Sequence, residues 1–280
     1  MTPGSDPDLG SGREPGQRRA APPATARVDL HCHTSASFDG VADPVAVVAR
    51  AAELGLTHLA ITDHDTLDGA LAAADAASAG LHVIVGCEVN TPEGDLIFLF
   101  LRKLLPAGLS ASDAIEAGRE QGALVGIPHP FDHTRRSLLR DRANEALVAH
   151  VDWIEAWNGR VPTAPANERA AALVRRLGVA GVGVTDAHAL LEVGRAWTTM
   201  TGDPSTADGL REALRGPLEI IGPMPGPAGR NLGRFLEPAR RGAHRRGVEA
   251  AVTRRRLTMW PHVATLRAWR PSASASSRIG

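Results

Sequence analysis

The sequence predicts an α/β fold whose strands close, or nearly close, into a β/α barrel, and three observations predict it. Apolar runs of strand length alternate with helical stretches of about 10–15 residues, the pattern of βαβ units and a parallel sheet. The runs are almost continuously apolar, as expected of strands covered on both faces. At least five of them end on a His, Asp or Glu. An open doubly wound sheet gathers its ligands at one switch point, whereas a ring brings the C-terminal ends of many strands together.

Each unit is legible in turn. RVDL leads into His31 and His33. Asp43 as N-cap and Pro44 at the first helical position open DPVAVVARAAEL, which stops at Gly55. THLAIT ends at Asp63 and His64; an Ala-rich helix reaches Gly80, and LHVIVG ends at Glu88. DLIFLFL is a further strand with no metal-binding residue at its end. SASDAIEAGREQ stops at Gly122 and ALVGIP ends at His129. Residues 141–150 read as helical and VDWIEAW as extended. ANERAAALVRRL stops at Gly178, VAGVGVT ends at Asp186 and His188, and ADGLREALRG with PLEIIG closes the pattern near residue 222.

This places a barrel domain at 27–222. Residues 1–26 are rich in Pro, Gly and Ser without periodicity and are expected to be disordered. Residues 223–280 hold twelve Arg against Glu237 and Glu249, a net of +10, and are expected to form an extension of low order. The chain as a whole is formally neutral and residues 1–26 balance, so the body carries −10. An acidic body suits a site in which carboxylates hold cations. The two cysteines, Cys32 and Cys87, form neither a disulfide framework nor a zinc ribbon. No apolar run spans a bilayer and the N-terminus lacks a signal-peptide core, so a cytoplasmic location is expected.

Side chains alternate along a strand, so His31 and His33 face the same way with Cys32 opposite. A His pair alone is weak evidence. Repetition carries the argument: His31, His33, Asp39, His64, Glu88, His129, Asp186 and His188 all stand at or just past strand ends, and five of the eleven histidines are among them. Eight N and O donors without Cys exceed what one tetrahedral ion needs, and suit two or three divalent ions such as zinc, manganese or iron.

HCHT at 31–34, TDHD at 62–65, GCE at 86–88, PHP at 128–130 and TDAH at 185–188 resemble, in order, the motifs of the PHP (polymerase and histidinol phosphatase) family, and Asp39 in SFDG matches a further ligand position. The resemblance covers about residues 27–222. It implies a distorted (β/α)7 barrel with a dinuclear or trinuclear metal site and phosphoesterase activity. By position it implies that His31, His33, Glu88 and Asp186 hold one ion, that Glu88 bridges to a second ion on His129, and that Asp39, His64 and His188 hold a third. Glu88, Asp186 and His188 are then the residues expected to carry catalysis. Many relatives place a further His on the strand before the PHP motif; DLIFLFL has none, which leaves the second ion short of a ligand unless water or Asn158 fills the gap.

Closely spaced cations acidify water and neutralise phosphate oxygens, so the expected reaction is hydrolysis of a phosphate ester by a metal-activated hydroxide. Arg135, Arg160 and Arg195 follow the PHP, WNG and TDAH segments and are the candidates for holding the phosphate. Asp65 is a candidate to orient His64. Cys32, Cys87, Trp153 and Trp157 are expected to pack in the core, and His58 and His82 to be ordinary residues at helix–strand junctions. The expected substrate is a small phosphorylated metabolite or nucleotide. Two alternatives stand beside it: an exonuclease or oligonucleotide phosphodiesterase that uses the basic tail, and a metal-stabilised binding module without turnover.

Overall fold

The computed structural model describes residues 25–140 and 142–222. Expectations for the segment before Thr25 and for the Arg-rich extension fall outside the described residues. The first strand, β1 (Thr25–Asp29), begins two residues before the expected domain boundary. It is followed by α1 (Pro44–Glu53), β2 (His58–Ile61), α2 (Asp68–Asp75), β3 (His82–Asn90), β4 (Asp95–Leu99), α3 (Ala111–Glu120) and β5 (Leu124–Ile127). After two 3₁₀ helices, Leu138–Arg140 and Arg142–His150, come β6 (Trp153–Asn158), α4 (Ala164–Leu177), β7 (Ala180–Val184), β8 (Trp197–Thr201), α5 (Ala207–Arg215) and β9 (Leu218–Ile221).

Local chemistry sets the helix ends as the sequence suggests. The Asp43 carboxylate accepts from the amides of Val45 and Ala46 at the start of α1, with Pro44 behind it. Gly178 closes α4 at φ 67°, a conformation that suits glycine.

The strands form one sheet in the order β7-β6-β5-β4-β3-β2-β1-β8-β9. It is not wholly parallel, which corrects the sequence expectation. β4 runs antiparallel to both β3 and β5. Only Thr91–Gly94 joins β3 to β4, far too short for a crossover, so the pair must be a hairpin. β8 was not recognised in the sequence; it pairs antiparallel with β1 and with β9.

The ring closes at its upper rim, where the chain leaving β1 meets the chain leaving β7. His33 N donates to Ala187 O at 2.8 Å, and Asp186 N donates to His31 O at 2.9 Å. Lower down, Thr198 of β8 bonds both backbone groups of Gly183 on β7. Seven strands, β1 to β7, therefore make the distorted barrel, with β8 and β9 wedged in at its lower edge.

Val28, Ile84, Ile97, Leu124, Trp153 and Val182, one from almost every strand, join in one buried cluster that fills the ring. Trp153 fits because its neighbour on β5 is Gly126, where a Cβ would run into the indole. Two other clusters lie outside, under the helices. They take Cys32 beneath α1 and α2, and Cys87 beneath α3, as the alternation of those strands predicts. Both cysteines are free and buried. No helix among the described residues is long and apolar enough to cross a membrane.

Candidate metal centre

The upper rim gathers the side chains named from the sequence. His31 and His33 leave β1 on the same side, their Nε2 atoms 2.8 Å apart. Glu88 on β3 reaches both with one oxygen: Oε2 lies 3.0 Å from His31 Nε2 and 3.2 Å from His33 Nε2. Its other oxygen, Oε1, lies 2.9 Å from His129 Nε2. On the far side, Asp39 Oδ2 lies 2.9 Å from His188 Nε2 and 3.5 Å from His64 Nε2. Asp186 Oδ1 stands 3.5 Å from His31 Nε2 and 3.6 Å from His33 Nε2. All eight converge.

Donor atoms lying within 4.8 Å of one another fall into three groups: His33, Asp39, His64 and His188; His31, His33 and Glu88; and Glu88, Asp95 and His129. Asp95 was missed in the sequence. It is the first residue of β4, opposite Asn90 at the end of β3, and its buried carboxylate stands where the sequence suggested a missing donor. Asn158 does not fill that place. Its amide donates to Glu155 Oε2 and Asp186 Oδ2, and its oxygen accepts from the amides of Arg160 and Val161.

Glu155 was also missed. Fully buried on β6, it accepts from His31 Nδ1–H at 2.6 Å through Oε1, and from His129 N–H at 2.6 Å through Oε2. His188 Nδ1–H likewise donates to the Asp186 carbonyl at 3.0 Å. In both rings the outer bond occupies Nδ1 and leaves Nε2 facing the cluster, the nitrogen that a cation would take in exchange for its proton.

The charges answer the same question. Burial works against the Glu88 carboxylate, yet the charges of His64 and His31 and the bond from His129 hold it well below the usual carboxylate range. Burial, then the charge of Glu88, pushes Asp95 up to about 6. His64 rises to about 9: burial opposes the shift, but Glu88 and Asp39 outweigh it. Burial and then His33 drive His188 down to about 3. Protons and carboxylates are thus competing for one small volume.

Asp186 Oδ1 is buried and has no hydrogen-bond partner, while Oδ2 is held by Arg135 and Asn158. A buried carboxylate oxygen without a partner is costly. Here it faces the Nε2 atoms of His31 and His33 at 3.5 and 3.6 Å. This donor set fits divalent cations. His129 and Asp186 also carry positive φ, 32° and 53°, a strained backbone that folds keep mainly at functional positions.

The remaining expectations fare differently. The Arg135 guanidinium is bound to Asp186 and to Asp132, so it braces a candidate ligand instead of standing free for a phosphate. Arg160 is half-buried at the end of β6, and its charge acts on both Asp186 and His188. Among the described residues Arg195 makes no hydrogen bond or ion pair with the cluster; its amide bonds Glu192. Asp65 accepts from Asn90 N–H and so ties down the end of β3. Asp63 spends its carboxylate on the Thr34 amide and hydroxyl.

A model of the PHP domain matches residues 29–151, and a model of a PHP-associated region matches 164–216. Protein MJ1587 of Methanocaldococcus jannaschii is 35% identical over 143 residues, 47% of this chain and 81% of that one. A 5'-3' exoribonuclease of Haemophilus influenzae is 36% identical over 121 residues, 39% and 44% of the two chains. The crystal structure of a two-domain protein of Bacteroides vulgatus, containing a predicted PHP-like metal-dependent phosphoesterase, superposes with a TM-score of 0.60 at 21% identity, covering 74% of this chain and 70% of that one. The chain belongs to the PHP domain family.

Proposed function

We propose that this PHP-domain hydrolase cleaves a phosphate ester of a small metabolite or nucleotide, using two or three divalent ions held at the upper rim of the barrel. Zinc, manganese and iron suit a set of imidazole and carboxylate donors without thiolate. His31, His33, Glu88 and Asp186 would hold one ion. Glu88, Asp95 and His129 would hold a second, and Asp39, His64 and His188 a third. The observation that carries this reading is Glu88, which points one oxygen at the first group and the other at the second.

Bound there, the ions supply an acidified water and charge compensation for the phosphate oxygens. The protein's own groups do the rest. Glu155 and the Asp186 carbonyl fix the imidazole tautomers, and Arg135 with Asn158 fixes Asp186. Arg160, close to His188 and Asp186, is the cation placed to steady a phosphate.

The test is hydrolysis across phosphomonoesters, dinucleotides and short oligonucleotides with manganese or zinc added, comparing wild type with His129→Ala. Metal-dependent turnover that the variant loses supports the reading. Equal turnover in both would contradict it.

Similarity to the Haemophilus exoribonuclease favours a second reading, in which an oligonucleotide is the substrate and the Arg-rich segment 223–280 gathers its phosphates. Deleting that segment should then raise KM for oligonucleotides and flatten its salt dependence. Identical salt slopes with and without the segment count against it. The case for a binding module without turnover rested on the missing strand donor, a place where Asp95 now stands.

A further inference from the structure

Phe38 is the one Phe or Trp side chain among the described residues that is largely exposed, at 66%. An exposed ring at the edge of a polar cluster is a surface a ligand's flat ring can cover. It lies in the loop between β1 and α1, immediately before Asp39. One face rests on His64, with centroids 4.9 Å apart and planes 28° from parallel. The exposed apolar side chains Val41, Leu190 and Leu191 belong to the same end of the cluster, where Val41 N–H donates to His188 O.

The cluster itself gives the exit direction. The group of Glu88, Asp95 and His129 is wholly buried, as is that of His31, His33 and Glu88, whereas at the other end the His64 side chain keeps 15% of its surface exposed. A phosphoester with its phosphate at the ions therefore has this end through which to extend its remaining part, and Phe38 stands there.

We infer that Phe38 is the specificity-determining residue of the site, a stacking platform for a flat aromatic ring, nucleobase or aryl, carried by the phosphoester. The inference rests on the phosphoesterase reading above. A planar ring can lie against Phe38 as Phe38 lies against His64, giving a layered stack that a sugar or alkyl chain cannot match.

The experiment is calorimetric binding to the manganese-loaded full-length protein, which reads affinity without requiring turnover. Adenosine 5'-monophosphate and ribose 5-phosphate are the probes, since they differ only in the base. Wild type should favour the nucleotide by roughly 5- to 150-fold, the affinity equivalent of stacking one base. Phe38→Ala should erase that preference. Phe38→Leu, which keeps apolar cover over His64, should erase most of it, and Phe38→Trp should restore it.

A preference that survives in Phe38→Ala, or that Phe38→Leu retains in full, overturns the inference. So does a wild type that does not distinguish the two ligands, and in that case the phosphoesterase reading still stands. If neither ligand binds the loaded protein, the inference falls, while the phosphoesterase reading is decided by the turnover screen and His129→Ala. Manganese content measured on each variant separates loss of stacking from loss of ions.

Discussion

The two ends of the cluster are built differently. At one end Glu88 and Asp95 stand within β3 and β4, His129 follows two residues after β5, and all three are buried. At the other, His33, Asp39, His64 and His188 come from loops and strand exits, with His64 partly exposed and Phe38 laid over it. A donor fixed by a strand in a sheet has little freedom and little water; one carried on a loop has more of both. The buried end is thus suited to holding an ion, and the open end to admitting a ligand.

Glu88 joins the two ends, and its replacement should have the largest effect. Glu88→Gln leaves the shape but removes the charge both neighbouring groups share. Metal affinity and turnover should each fall by more than about 100-fold, beyond what losing an outer hydrogen bond to a ligand costs. Metal content by mass spectrometry and hydrolysis rates would check this, and a variant that keeps its full metal complement would break the comparison.

Asp95→Asn should act at the buried end alone. One ion should weaken while the open end still binds, giving a lower metal stoichiometry with the strongest remaining site unchanged. Loss of every ion at once would show that the ends are not separable.

The smallest effect is on pH dependence. In the metal-free protein His64 carries a proton up to about pH 9, and an incoming cation must displace it. Apparent affinity at the open end should therefore fall by about tenfold per unit as pH drops below 9. Asp95, at about 6, adds the same penalty at the buried end only once the pH falls below that value. Calorimetric titration at pH 7.5 in buffers of different ionisation enthalpy should show net proton release on metal binding, to which His64 and His31 contribute. No release at that pH would contradict the assignment.

Much of this site was legible because parallel strands all present their C-terminal residues to one rim, so searching strand ends for donors finds His31, His64, Glu88, His129 and Asp186. The same rule hides Asp95. On an antiparallel strand the rim end is the first residue, and in DLIFLFL that donor sits at the start of the run. A four-residue turn before it was the available signal that β4 reverses. Glu155 was hidden for another reason: in WIEAW it reads as a polar interruption of a core strand, and only the fold brings His31, 124 residues away, within a hydrogen bond. β8 was hidden because WTTMT carries no donor and follows its neighbour without a helix. The roles of Arg135 and Arg195 could not be read from sequence, since arginines this long reach whatever carboxylate the loops set beside them.

Diffraction from crystals grown with manganese, using its anomalous signal, tests the account most directly. Peaks on both sides of the Glu88 carboxylate, one near His31, His33 and Asp186 and one near Asp95 and His129, are the predicted result. Manganese bound away from Glu88, or an upper rim in which His33, Glu88 and His188 face apart, would contradict it.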